Sequence, residues 1–284
     1  MQKFILSMEA TCDLPKELIK KYDFKVIDMN FMVGEQSFCT DKDDVVTSNL
    51  YSKMKEGIKP RTSQVNDYAY EEFFVKLLNE DKPIIHLSFT SGLSQTCDVA
   101  KRVADKLNAI NKTKIYVIDT LCGCLGQGYL AILVHNFMQK ANSVEEVLNY
   151  IESIKLRICH IFTLDNLKYL ANGGRIKSSV AFVGNMLNIK PIIKLENNGK
   201  LNLSNKVLSR KKSLLTLCDI FNKTRSEESI CIVGHADSAT DAKFVADTIK
   251  STGSDAIIAN IGPILGCHCG PSTVAIFYLS KEGR

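Results

Sequence analysis

Through the first 120 residues, short apolar runs rich in β-branched and aromatic side chains alternate with longer stretches whose apolar positions recur every three and four residues. The runs are KFILS (3–7), FKVIDMNFMV (24–33), PIIHLSF (83–89) and KIYVID (114–119), and the helical spacing covers Asn66 to Asn79 and Leu93 to Leu107. Strands joined through helices cannot pair by tight hairpins. They return to the same sheet edge as parallel neighbours, and a parallel sheet needs helices on its faces. The alternation therefore predicts an α/β domain. A chain of 284 residues with 45% hydrophobic and 24% charged residues can bury the core this requires.

The second half reads differently. RICHIFT (157–163) has strand character, Asp165 to Ala171 a short helix, and GGR (173–175) its stop. After a further apolar helix, PIIKLENNGKLNLSNKV reads as two strands around an Asn-Gly turn, a strong hairpin signal. SICIVGH and DAIIANIG follow with a helix between them, and TVAIFYLS closes the chain as a strand. The expected fold is two-domain α/β: an N-terminal parallel sheet with flanking helices and a C-terminal mixed α/β domain. The boundary is placed in the helical stretch NSVEEVLNYIESIK, giving domains 1–152 and 153–284.

No run of about 18 apolar residues could span a bilayer, and MQKFILSMEATCD turns acidic too soon for a signal peptide, so a cytoplasmic location is expected. The net charge of +5 is too weak and too evenly spread to predict nucleic-acid binding. Ten cysteines in a chain of this length, set in apolar segments, read as reduced core residues.

Two polar loops carry the chemistry. Thr62 and Ser63 precede one predicted helix, and Ser91 and Ser94 precede another. Helix starts offer unpaired N–H groups and a positive dipole end, so hydroxyls placed there suit a carboxylate or phosphate; the plainer reading is that these residues only cap helices. In open α/β sheets such loops converge beyond the carboxyl ends of the strands. Ser94 could alternatively be a nucleophile, with His268 as base and Asp119 or Asp237 as orienter, although SGLSQ is not a G-x-S-x-G elbow. A zinc site would draw on Cys122, Cys124, Cys267, His268 and Cys269. The spacing is C-x-C where metal knuckles use C-x-x-C, and an extended 267–269 would turn His268 away from both cysteines. No metal or cofactor is expected. His86 and His160 sit in apolar strands and read as satisfied core residues.

The motifs in chain order are T-S-Q (62–64), SGLSQT (91–96), VIDT…LGQG (117–128), LKYLANGGRI (167–176), NIKPII (188–193) and GCHCGP (266–271). Together they resemble the DegV family, fatty-acid-binding subunits that present a bound acyl chain to a separate kinase. The resemblance implies a long-chain fatty acid as ligand, held in a tunnel between the two domains. It implies that Thr62 and Ser94 hold the carboxylate, with His268 and Cys269 beside it and Arg175 near the mouth as a contact for the kinase or the acyl phosphate; Ser63, next to Thr62, is counted among the ligand-binding residues. It also implies a non-catalytic carrier and a fatty acid kinase as partner; transient contact with a membrane is a further expectation. Phe182, Met186, Leu187 and Ile264 are candidate tunnel lining. The chain departs from the family pattern at Glu9 and Ala10, Gln95, Leu208 and Cys269, with Arg210 near the place of a family arginine.

Overall fold

A computed structural model of the protein describes residues 3–40, 45–176 and 189–284, with the side chains of all of these but 45–48. The first part runs through β1 (Ile5–Glu9), α1 (Lys16–Lys21), β2 (Lys25–Ile27), β3 (Asn30–Val33), β4 (Gln36–Cys39), α2 (Val45–Lys55), β5 (Pro60–Thr62), α3 (Asp67–Leu78), β6 (Ile84–Ser88), α4 (Thr96–Ile110), β7 (Ile115–Asp119), α5 (Cys124–Met138) and α6 (Val144–Ile154). It is followed by β8 (Ile158–Thr163), α7 (Lys168–Asn172), β9 (Ile189–Leu195), β10 (Leu201–Leu208), α8 (Arg210–Thr224), β11 (Cys231–Ala236), α9 (Ala239–Lys250), β12 (Ala256–Asn260), α10 (Pro263–Cys269) and β13 (Thr273–Leu279).

The parallel sheet is there, in the order β2-β1-β6-β7. Its central strands β1 and β6 are buried at every residue, their apolar residues in the core and their polar ones, Ser7, Glu9, His86 and Ser88, bonded to one another. FKVIDMNFMV is not one strand, however. It breaks at Asp28 and Met29, where the Thr40 hydroxyl donates to the Asp28 carboxylate and accepts from the Met29 N–H. Lys25–Ile27 stays on the parallel sheet, while Asn30–Val33 turns away into a separate antiparallel sheet, β4-β3-β5.

The second sheet is mixed, ordered β10-β9-β8-β13-β11-β12, with only β11 and β12 parallel. The hairpin forms as its sequence predicts: Leu201–Leu208 pairs antiparallel with Ile189–Leu195, and Gly199 sits in the turn with φ +72°. The alternation of side chains along a strand divides this sheet in two. Cys159, Ile161, Val274, Ile276 and Tyr278 pack against Leu214, Leu217 and Phe221 of α8 and Val245 and Ile249 of α9. The intervening residues, His160, Phe162, Thr273, Ala275 and Phe277, face the other way and line a cavity. The apolar helix expected before NIKPII, with Phe182, Met186 and Leu187, lies outside the described residues.

GCHCGP belongs to a helix, not an extended segment. Pro263 at its start and Gly270 at its end with φ +78° are the residues that open and stop a helix. Cys267 and Cys269 are buried. Among the described residues no cysteine is in a disulfide, all but Cys39 are buried, and no group of three or more His, Cys, Asp or Glu could hold a metal. No helix among them is long and apolar enough to cross a membrane.

Candidate functional site: a cavity between two sheets

A cavity of about 590 Å³ lies between the mixed sheet and the loops of the first part of the chain. Its volume falls within the ~300–1,000 Å³ typical of small-molecule pockets. One wall is the sheet face described above, extended by Leu195 and Leu201 from the hairpin; Ile261, Ile264 and Leu265 add another apolar wall at the start of α10. Thr62, Ser63, Ser94, Arg175, His268 and Cys269 all line the same space.

Thr62 and His268, 206 residues apart, are joined by a 2.8 Å hydrogen bond between the hydroxyl and Nε2. The expectation that the Thr62–Ser63 loop lies at the end of the parallel sheet does not hold, nor does the plainer alternative that these two residues cap the next helix. Asn66 caps α3, its carboxamide oxygen accepting from the Ala69 N–H, and Thr62 ends a strand of the small antiparallel sheet opposite Phe31. Thr62 is thereby aimed at α10 rather than at its own helix. The His268 ring is pinned by close packing, since a Cβ at Gly173 would overlap its Nδ1. Burial, reinforced by the Arg175 charge, holds His268 down to about 4, so the ring is neutral at pH 7. With the proton on Nε2 the imidazole donates to Thr62, and the Thr62 hydrogen is released for a ligand.

Arg175 donates to the Gly173 carbonyl and has no carboxylate partner among the described residues. Burial alone lowers its pKa. Cys269 contributes no thiolate: burial pushes its thiol up to about 12. Ser94 does partly cap α4, accepting from the Thr96 N–H at 3.2 Å, and its own hydroxyl donates to Thr96 Oγ1 at 3.0 Å.

Among the described residues, none of the groups that the nucleophile reading assigns to Ser94 is hydrogen-bonded to it. His268 is bonded to Thr62, Asp119 accepts from the backbone of Ser91 and Leu121, and Asp237 is paired with Lys55. His86 and His160 are satisfied core residues, as their strands suggest. His86 bonds Ser7 and Glu9. His160 Nε2 accepts from the Gly123 N–H, leaving Nδ1–H for the Ile158 carbonyl. His235 lines a different cleft. Arg210 is committed to Asp241, Ser238 and the Ser272 carbonyl, while Leu208 is exposed.

Sequence reasoning passed over Thr11, Phe89 and Gln127. Thr11 and Phe89 line the cavity, and buried Gln127 bonds Thr11 from behind. The available signal was a lone carboxamide inside the apolar helix CLGQGYLAILV, which must find polar partners once buried.

The family model described as "Uncharacterised protein, DegV family" matches residues 3–281. A DegV domain-containing protein of Clostridium perfringens is 32% identical over 285 residues, covering 98% of each chain. A DegV lipid-binding protein from Thermotoga maritima shares the fold with a TM-score of 0.86 at 26% identity, over 99% of this chain and 100% of that one. A stearic acid-binding protein from Eubacterium ventriosum does so with a TM-score of 0.87 at 20% identity over 99% of each. Matched from end to end by the family and by a relative sharing nearly a third of its residues, this chain belongs to the DegV family.

Proposed function

We propose that the protein binds a long-chain fatty acid, its carboxylate held by Thr62, Ser63, Ser94, His268 and Arg175 beside Cys269, and its tail laid along the apolar sheet face. One observation carries this reading: a largely apolar cavity whose polar lining includes hydroxyls, a neutral imidazole and an arginine without a carboxylate partner among the described residues. Fatty-acid binding by structural neighbours of the same family supports it. So does the energetics. Burying about 14 methylenes at ~0.8 kcal/mol each makes roughly 11 kcal/mol available from the tail, so the head group mainly needs donors that replace water. Residues 1–152 and 153–284 are the two proposed units enclosing the ligand. In support, every strand of the parallel sheet precedes the boundary and every strand of the mixed sheet follows it.

In this reading the protein is a carrier without catalysis of its own. It takes its ligand up in transient contact with a membrane and presents the carboxylate to a fatty acid kinase. With Arg210 committed within its own fold, it is Leu208 that stands exposed near the place of the family arginine, and any cation a kinase meets here would come from the neighbouring lysines Lys206, Lys211 and Lys212.

Native mass spectrometry of the purified protein is expected to reveal a co-purifying mass matching a long-chain fatty acid. An empty protein that also fails to take up oleate or palmitate overturns the proposal. Thr62→Ala and Ser94→Ala are each expected to weaken binding by about 1–3 kcal/mol, because each leaves a buried carboxylate short of a donor. Parental affinity in the double variant, measured by calorimetry, would show that the carboxylate sits elsewhere.

A further inference from the structure

Beneath the head-group loop lies a charge that does not line the cavity. Glu9 ends β1, completely buried, and its carboxylate receives five hydrogen bonds. Oε1 accepts from the Tyr70 hydroxyl at 2.6 Å, the Ser88 hydroxyl at 2.5 Å and His86 Nε2 at 3.1 Å. Oε2 accepts from the Phe89 backbone N–H at 2.8 Å and Gln127 Nε2 at 2.9 Å. Burial would raise its pKa, but His86 and the hydroxyl donors bring it down to about 2, so it is ionised and can only accept.

That polarity propagates. The Phe89 N–H is the first backbone group beyond β6, and the loop it starts is bound to itself and to the other sheet. The Thr90 hydroxyl accepts from the Gly92 N–H and donates to the Gly199 carbonyl of the hairpin turn, and the Leu93 N–H returns to the Thr90 carbonyl. Ser94 follows. On the other side Gln127 gives its amino group to Glu9 and to the Leu87 carbonyl, which turns its carbonyl oxygen toward the Thr11 hydroxyl at 2.9 Å. Phe89 and Thr11, the two branches of this wiring, both line the cavity.

We infer that Glu9 is a positioning residue for the ligand carboxylate: without touching the ligand, it fixes the start of the Thr90–Ser94 loop and the direction of Thr11. The inference rests on the fatty-acid reading above. Glu9→Gln keeps the shape but puts an amino group where donors already point. If that group replaces Oε1, the Tyr70 and Ser88 hydroxyls and His86 must all reverse from donating to accepting, which breaks the pairing of their own hydrogens. If it replaces Oε2, the Phe89 N–H is left unpaired and Gln127 cannot turn over without setting its oxygen against the Leu87 carbonyl, so the loop they anchor shifts.

A positioning role predicts an effect on the head group and not on the tail. Palmitate and hexadecanol share a sixteen-carbon chain, so the ratio of their affinities isolates the carboxylate. Titration calorimetry on the full chain is expected to show wild type preferring palmitate. In Glu9→Gln that preference should fall roughly tenfold while hexadecanol affinity stays within about threefold. Tyr70→Phe, which removes one of the three Oε1 donors at a distance from the cavity, is expected to lower the ratio by about threefold, and it carries the test if Glu9→Gln does not fold. A ratio unchanged within about twofold in the folded variant, even with a lowered melting temperature, reduces Glu9 to an ion of the core and overturns the inference. Wild type that binds neither compound removes the fatty-acid reading itself, a result readily told apart from an unchanged ratio.

Discussion

Ala275→Phe is expected to cut palmitate affinity by roughly a thousandfold while leaving the protein folded. Ala275 lies in β13 between Phe162 of β8 and Gly234 of β11, and it faces the cavity together with its second neighbours Thr273 and Phe277. A benzyl group projecting from this position occupies space that the proposed tail would use. Excluding about five methylenes at ~0.8 kcal/mol each removes ~4 kcal/mol of burial, which is the stated thousandfold. Ala275 is itself buried among core residues, so the ring must extend into the cavity it lines, at an overpacking cost of about 1–3 kcal/mol that the thermal melt reads. Calorimetry with palmitate, alongside a thermal melt, makes the comparison. A stable variant that binds like wild type would show that the tail does not run along this face.

The second large effect is on stability in acid. His160 is held down to about 3, first by burial and then by the Arg284 charge, and His268 to about 4, so both are neutral in the fold while the unfolded chain protonates them near 6.5. Their contributions are complete above that pH and are lost as it falls toward 4 and 3. At ~1.4 kcal/mol per pKa unit, His160 alone withdraws on the order of 5 kcal/mol. Glu9 adds a later loss, as its stabilisation is present above 4.5 and fades as pH falls toward 2.

Asp13 runs in the opposite direction. Burial pushes it up to about 7, above the 3.8 of an ordinary side chain, so its ionisation costs stability above neutrality and that cost is relieved in acid. Between pH 4 and 6.5 the unfolded chain therefore takes up two protons from the histidines against one held by the fold, and stability declines with acid. Asp13→Asn removes only the opposing proton. Its urea unfolding free energy should match wild type near pH 4, exceed it by on the order of 4 kcal/mol at pH 8, and fall more steeply between. Parallel curves for the two proteins would refute this account of Asp13.

Much of the architecture was legible in the chain, and the reason is locality. Strand and helix periods, the Asn-Gly turn and the apolar setting of the cysteines are properties of neighbouring residues, and the two sheets follow from them. Local signals also misled where two were superposed. FKVIDMNFMV has uniform strand character, but its break depends on Thr40 reaching back to Asp28 and Met29. GCHCGP was read through its cysteines, although Pro263 and Gly270 mark a helix.

For the site, the sequence named residue types and loops but could not assign partners. Hydroxyls ahead of predicted helices and a histidine between glycines pointed to Thr62, Ser94 and His268. That Thr62 serves His268 instead of its own helix, and that Arg175 lies beside them, is decided by the packing of α10 against β5 and α7. Glu9 illustrates the same division. By itself it is one acidic residue at the end of an apolar run; five donors from three other segments of the chain make it the anchor of the loop above it. Short-range periodicity determined which elements form, whereas the pairing of buried polar groups was decided only by the tertiary structure, because each must find its donor wherever the fold brings one.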